Sequence, residues 1–128
     1  MTEPSLPDRL RAYDPARPDP GLRDDLLRAL GWEQNKADYW SHWWRTSPDL
    51  PWCRNPTPFS LDFAFSQIPP GWVVEEWGSG GGGSWYCILS GSRRHSRATR
   101  APHPAVALLL AILAAREIDA AAAEEATP

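Results

Sequence analysis

The residues of this chain best suited to chemistry are arginines and tryptophans at close spacing. Arg93, Arg94, Arg97 and Arg100 fall within eight residues. Read as a strand, residues 93–100 put Arg93, His95, Arg97 and Thr99 on one face and Arg94, Ser96, Ala98 and Arg100 on the other. Guanidinium forks match phosphate oxygens. The segment Trp40-Ser41-His42-Trp43-Trp44-Arg45 adds ring faces that can stack on a base, together with a further guanidinium. The expected ligand-binding set is therefore Arg93, His95, Arg97, Thr99, Trp40, Trp43, Trp44 and Arg45. Arg93 and Arg97 stand about 13 Å apart by strand rise, which asks for two anionic groups or one extended ligand. A second reading makes the arginines a solvated strand edge that resists pairing and the tryptophans part of the core.

Catalytic groupings are less developed. Cys53 with His42, or Ser92 with His95, would give a nucleophile and a base, but neither pair has a third group in a recognisable pattern. Asp24-Asp25 reads as a solvated helix turn. In a regular strand Glu75 and Glu76 point to opposite faces, so one site cannot use both. His42, Cys53, Cys87, His95 and His103 include no pair at zinc-ligand spacing, so no metal and no cofactor are expected. The glycines at 80–83 lack the Lys-Ser/Thr ending of a phosphate loop and are followed by strand sequence where a helix is required. This pattern implies a binding protein and no enzyme.

Charge and composition narrow the class further. Thirteen basic residues stand against 16 acidic ones, a net charge of -3, which excludes general nucleic-acid binding. A basic patch on an acidic body suits a small anion better than a long polyanion. Eight tryptophans against three phenylalanines and three tyrosines exceed what a small core needs, so several are expected to be partly exposed. Two cysteines make no disulfide framework, and the polar, proline-rich start is no signal peptide, so a cytoplasmic protein is expected. The aliphatic run at 105–115 is too short to span a membrane and reads as a buried helix.

The elements that would position these residues follow from local pattern. Residues 1–18, rich in proline and charge, suit a flexible arm that gives nothing to the core. Asp19 caps a helix with Pro20 at its first position, Leu22, Leu26, Leu27 and Leu30 line one face, and Gly31 stops it. Residues 32–58 read as a tryptophan-rich ordered loop, with a short helical turn near 36–45. Ser60 caps the next helix, which ends at Pro69-Pro70-Gly71. Residues 72–77 and 84–89 read as two strands. The intervening GSGGGGS has the composition of an artificial linker, but its flanks make it a hairpin tip. A third strand at 93–100 and a final helix from Pro102 or Pro104 to about Ala123 complete the order, with a frayed tail at 124–128. The expected fold is α+β: a small antiparallel three-stranded sheet packed with helices in an α/β sandwich, one domain over residues 19–123.

This order resembles a known family. A short amphipathic helix ends in Gly31-Trp32, a helix precedes Trp72, and a hairpin has aromatic strands. Ala98-Thr99 then leads into Pro104-Ala105-Val106-Ala107-Leu108. Over residues 21–118 the chain is similar to the phage ABA sandwich domain, although the tryptophan-rich 32–58 segment departs from that family's acidic loop. The resemblance implies an α/β sandwich encoded by a phage or prophage, with no established activity. It sets the expected functions: a phage accessory protein that counters host immunity as a sponge for a nucleotide-type signal in the host cytoplasm, or an inhibitor that binds a host defence protein through exposed Trp and Arg. A small hydrolase is the third reading. No membrane partner is expected, and the chain could form homo-oligomers.

Overall fold

The fold was analysed in a computed structural model that describes residues 4–17, 19–37, 42–54, 56, 58–91, 94–96 and 99–126. The chain order is α1 (Leu6–Arg11), α2 (Pro20–Ala29), β1 (Glu33–Gln34), β2 (Trp43–Arg45), β3 (Cys53–Arg54), α3 (Leu61–Ser66), β4 (Val73–Gly81), β5 (Ser84–Gly91), β6 (Arg94–His95), β7 (Thr99–Ala101) and α4 (Pro104–Ala126). The fold is α+β, with two antiparallel sheets and four helices among the described residues.

α4 is the centre of the molecule. Every residue from Ala105 to Ile112 is buried. A helix that is apolar all round must be enclosed all round, and α4 packs on β5, β7 and β4 at one side and on α3 and α1 at the other. Leu109 and Ile112 are both fully buried, as their shared helix face requires. His103 precedes α4, and its Nδ1 accepts from the backbone N–H of Ala105 at 3.2 Å. That acceptor role needs a neutral ring, and partial burial lowers the pKa of His103.

The second sheet begins as the expected hairpin. β4 and β5 pair antiparallel and are joined through Gly82 and Gly83, with φ of 61° and 79°. Two successive positive φ values are the mark of a type I′ turn, which glycine enters without a Cβ clash. The strands thus run into the glycine segment, which stays paired as far as Gly81 and Ser84. Inward-facing Cys87 and Leu89 are fully buried against α4.

Three regions differ from the sequence expectation. Residues 1–18 were expected to be an arm outside the core, yet Ser5 caps a helix there and Leu10 is fully buried. Arg9 bonds both Asp19 and Asp25, tying α1 to α2, and Tyr13 stacks on Phe59 with ring centroids 4.1 Å apart. The prolines only bound this helix, and its two apolar anchors were too few to register as a periodic pattern. The Arg9 guanidinium also holds the Asp19 carboxyl below its ordinary pKa.

Residues 32–58 differ from the expected loop: their described residues form a second small sheet, β1-β2-β3, whose strands are only two or three residues long, while residues 38–41 of the expected helical turn lie outside the described residues. Strands so short carry no readable alternation.

The third change concerns 93–100. The expected single strand is divided into β6 and β7, both on the same edge of β5. Ser90 pairs with His95 and Cys87 with Thr99, so three steps along β5 correspond to four along its partner. One extra residue reverses the alternation of faces. A second such irregularity lies between Val74 and Glu76 and leaves Glu75 as the extra residue of β4.

Candidate functional site

The extra residue before β7 disperses part of the expected set. Thr99 faces α4: its hydroxyl lies 2.7 Å from the carbonyl of Ala107 and 3.3 Å from that of Cys87, so it joins strand to helix and is closed to a ligand. His95 lies on the opposite, open face, where its Nδ1 is 2.8 Å from a Glu75 carboxylate oxygen. Arg94, expected beside Ser96, is drawn under the sheet edge to Asp119 at 2.9 Å and lies over the Trp72 ring at 5.6 Å. Trp72 Nε1 donates to the same Asp119 at 3.0 Å, which makes the group a structural clasp between the sheet and α4. Arg93, Arg97 and Trp40 lie outside the described residues.

The remaining expected residues belong to the first sheet. Trp44 is fully buried and therefore cannot stack on a ligand; Arg28 of α2 lies 5.6 Å from its ring centroid. It stands outside the principal core cluster, as does the fully buried Leu27, and anchors the small sheet from beneath. Its Nε1 is buried and meets no acceptor among the described residues, a cost that the burial of its ring must offset.

Trp43 and Arg45 flank Trp44 in β2 and so point to the other face. The register Glu33↔Arg45 and Trp43↔Arg54 builds two rows across this face. In the first, Arg45 is held between Glu33, at 3.2 Å, and the ring of Trp52, whose centroid lies 4.1 Å from the guanidinium carbon. A guanidinium over an indole ring is a favourable contact, strengthened here by partial burial of the arginine. In the second row Asn35 donates its N–H to Trp43 O at 2.9 Å, and Arg54 follows on β3. His42 lies beside Trp43, ring centroids 5.7 Å apart. Lys36 and Arg54 have no ion pair or hydrogen bond among the described residues, so their charges are available to a partner.

Trp43 and Arg45 were legible as candidates; Trp52 and Arg54 were missed. They sit seven or more positions downstream, beyond Pro48 and Pro51, and only strand pairing returns them to the same face. Cys87 is not an accessible nucleophile, since burial pushes its thiol up to about 11. Glu76 accepts from the Tyr86 hydroxyl at 3.0 Å, and this bond raises the phenol's pKa. Both carboxylates of the Glu75-Glu76 pair are thus engaged, each with its own neighbour. No group of three His, Cys, Asp or Glu residues placed to hold a metal occurs among the described residues, and no described helix is long and apolar enough to cross a membrane.

No protein-family model matches this chain, and no curated protein or solved structure does so.

Proposed function

We propose that this chain is a non-enzymatic binding protein that engages a partner protein through the outer face of its first sheet. The observation that carries this reading is the Arg45 guanidinium carbon 4.1 Å from the Trp52 ring centroid, in a face that also carries Trp43 and Arg54. Tryptophan and arginine dominate interface hot spots because they combine large contact area with directional polar groups. A three-stranded sheet offers a flat surface, which suits a protein better than a small molecule. In the phage setting that the resemblance suggests, the partner is a bacterial defence protein and the task is its inhibition, in the host cytoplasm. The test is affinity capture from host lysate with wild type, Trp52→Ala and Arg54→Ala. A stoichiometric partner retained by wild type and lost by both variants supports the reading. A partner held equally by all three, or none, overturns it.

The second reading is a sponge for a nucleotide-type signal. Arg54 favours it, as a cation with no ion pair among the described residues that stands opposite Trp43 in the register, where a base could stack while a phosphate meets the guanidinium. Calorimetry with cyclic nucleotides and ADP-ribose derivatives tests it. Absence of heat with every compound removes this reading.

A further inference from the structure

The central helix α4 begins at Pro104, and the residue before it, His103, serves two of the donors that a helix start leaves open. Its carbonyl accepts from the N–H of Ala107 at 3.1 Å, and its ring Nδ1 accepts from that of Ala105 at 3.2 Å. Pro104 has no N–H to satisfy. Ala105, Val106 and Ala107 are fully buried, so a donor released here meets no solvent.

Histidine differs from the usual capping residues because its acceptor is also a base. A proton on Nδ1 turns that acceptor into a donor facing a donor. It also places a positive charge at the positive end of a 23-residue helix. The other face of the ring's environment is Tyr13, which meets it edge-on with centroids 5.3 Å apart. Tyr13 stacks on Phe59 and follows α1, whose Leu10 is buried in the core that α4 centres. A helix of six residues is not held by its own propensity, so α1 depends on such contacts.

Among the described residues no charged side chain bonds to His103. The first turn of α4 carries none, and on β7 the inward residue is Ala101, while Arg100 acts on Tyr86 at the outer face. In α1, Arg9 is held by Asp19 and Asp25, and Arg11 by Asp8. Asp14 accepts from the backbone N–H of Ala16. The titratable group that faces the ring is thus the Tyr13 phenol. Burial alone lowers the pKa of His103 from its ordinary 6.5. Release of the ring restores the ordinary value, so below about pH 6.5 acid favours the released form.

From this arrangement we infer that His103 is a proton-operated clasp for α1: in mild acid its ring leaves the start of α4 and Tyr13, and residues 5–13 undock while the β4–β5 hairpin stays folded. The inference makes no use of the first sheet and stands apart from the partner-binding reading.

The experiment is native-state hydrogen exchange of the full chain at pH 7 and pH 5, corrected for intrinsic rates, with circular dichroism to confirm that each variant is folded. Protection over residues 5–13 and 104–108 should fall about tenfold at pH 5, with the hairpin unchanged. His103→Asn, whose amide oxygen can cap the helix and does not titrate, should keep its protection at both pH values. Tyr13→Ala should release residues 5–13 already at pH 7. His95→Gln, on the open face of the second sheet, should leave the wild-type response unchanged, and the Asp19 carboxyl titrates below this window. Equal protection of residues 5–13 at the two pH values overturns the inference. So does an acid response of the same size in His103→Asn, or a hairpin that loses protection to the same extent, since the effect would then be global.

Discussion

The helix α4 and the first sheet are two places where this chain gathers large apolar side chains, and they use them in opposite ways. α4 buries all sides of its first half, between a sheet and two helices, and exposes little until Arg116. The first sheet buries one tryptophan, Trp44, and turns Trp43, Trp52 and their arginines outward. The difference comes from what lies on each side. α4 has elements packed around it, whereas the small sheet packs on α2 through β1. Apolar content therefore does not distinguish core from contact surface in this protein; the number of covered faces does.

That contrast predicts a graded series of mutational effects. The largest belongs to the enclosed helix. Leu109→Ala removes a fully buried side chain between rigid neighbours and should cost about 2–5 kcal/mol in chemical denaturation. A loss below about 1 kcal/mol would mean that α4 is not enclosed and would dissolve the comparison. Leu10→Ala should cost roughly 2–3 kcal/mol, because α1 closes one side of the same core. If the melting temperature is unchanged on this substitution, residues 6–11 are not a wall of the core.

The hairpin turn lies further from the centre. Gly82→Ala forces a Cβ into φ of 61° with open space around it, so the cost is backbone strain alone, about 1 kcal/mol. A neutral result would show that the turn relaxes to another type.

Acid should act on the enclosed side through two groups. Asp19 has a lowered pKa, so its bond to Arg9 contributes above its ordinary carboxylate range and is lost as pH falls through the lower folded value. His103 also has a lowered pKa; below about 6.5 the unfolded chain takes up its proton more readily than the folded one, so stability falls there too. Melting followed from pH 7 to pH 3 should therefore decline in two stages. The His103→Gln variant should lose the upper stage only.

The smallest effect on stability belongs to the outward face. Arg54 is exposed and unpaired among the described residues, so Arg54→Ala should change stability by no more than about 0.5 kcal/mol. The same substitution should weaken partner binding about tenfold or more, by loss of one charge-assisted contact. A variant that is destabilised and still binds would assign Arg54 to the fold.

The sequence by itself determined the elements that repeat long enough to be read. Asp19-Pro20 and Ser60 begin helices as their capping chemistry requires, the 105–112 run is a buried helix, and Trp72 to Leu89 is a hairpin. It also singled out Trp43 and Arg45, because aromatic and guanidinium groups stand two positions apart. Only the tertiary structure decided which face each residue joins. One extra residue between His95 and Thr99 reverses the alternation and sends Thr99 into the core. Pairing of β2 with β3 brings Trp52 and Arg54 beside Trp43 and Arg45 across two prolines. Leu10 reaches the core because α4 offers it a surface, although its own helix has only six residues. Local propensity is a property of neighbouring residues, whereas register, burial and the choice of face depend on partners distant in the chain.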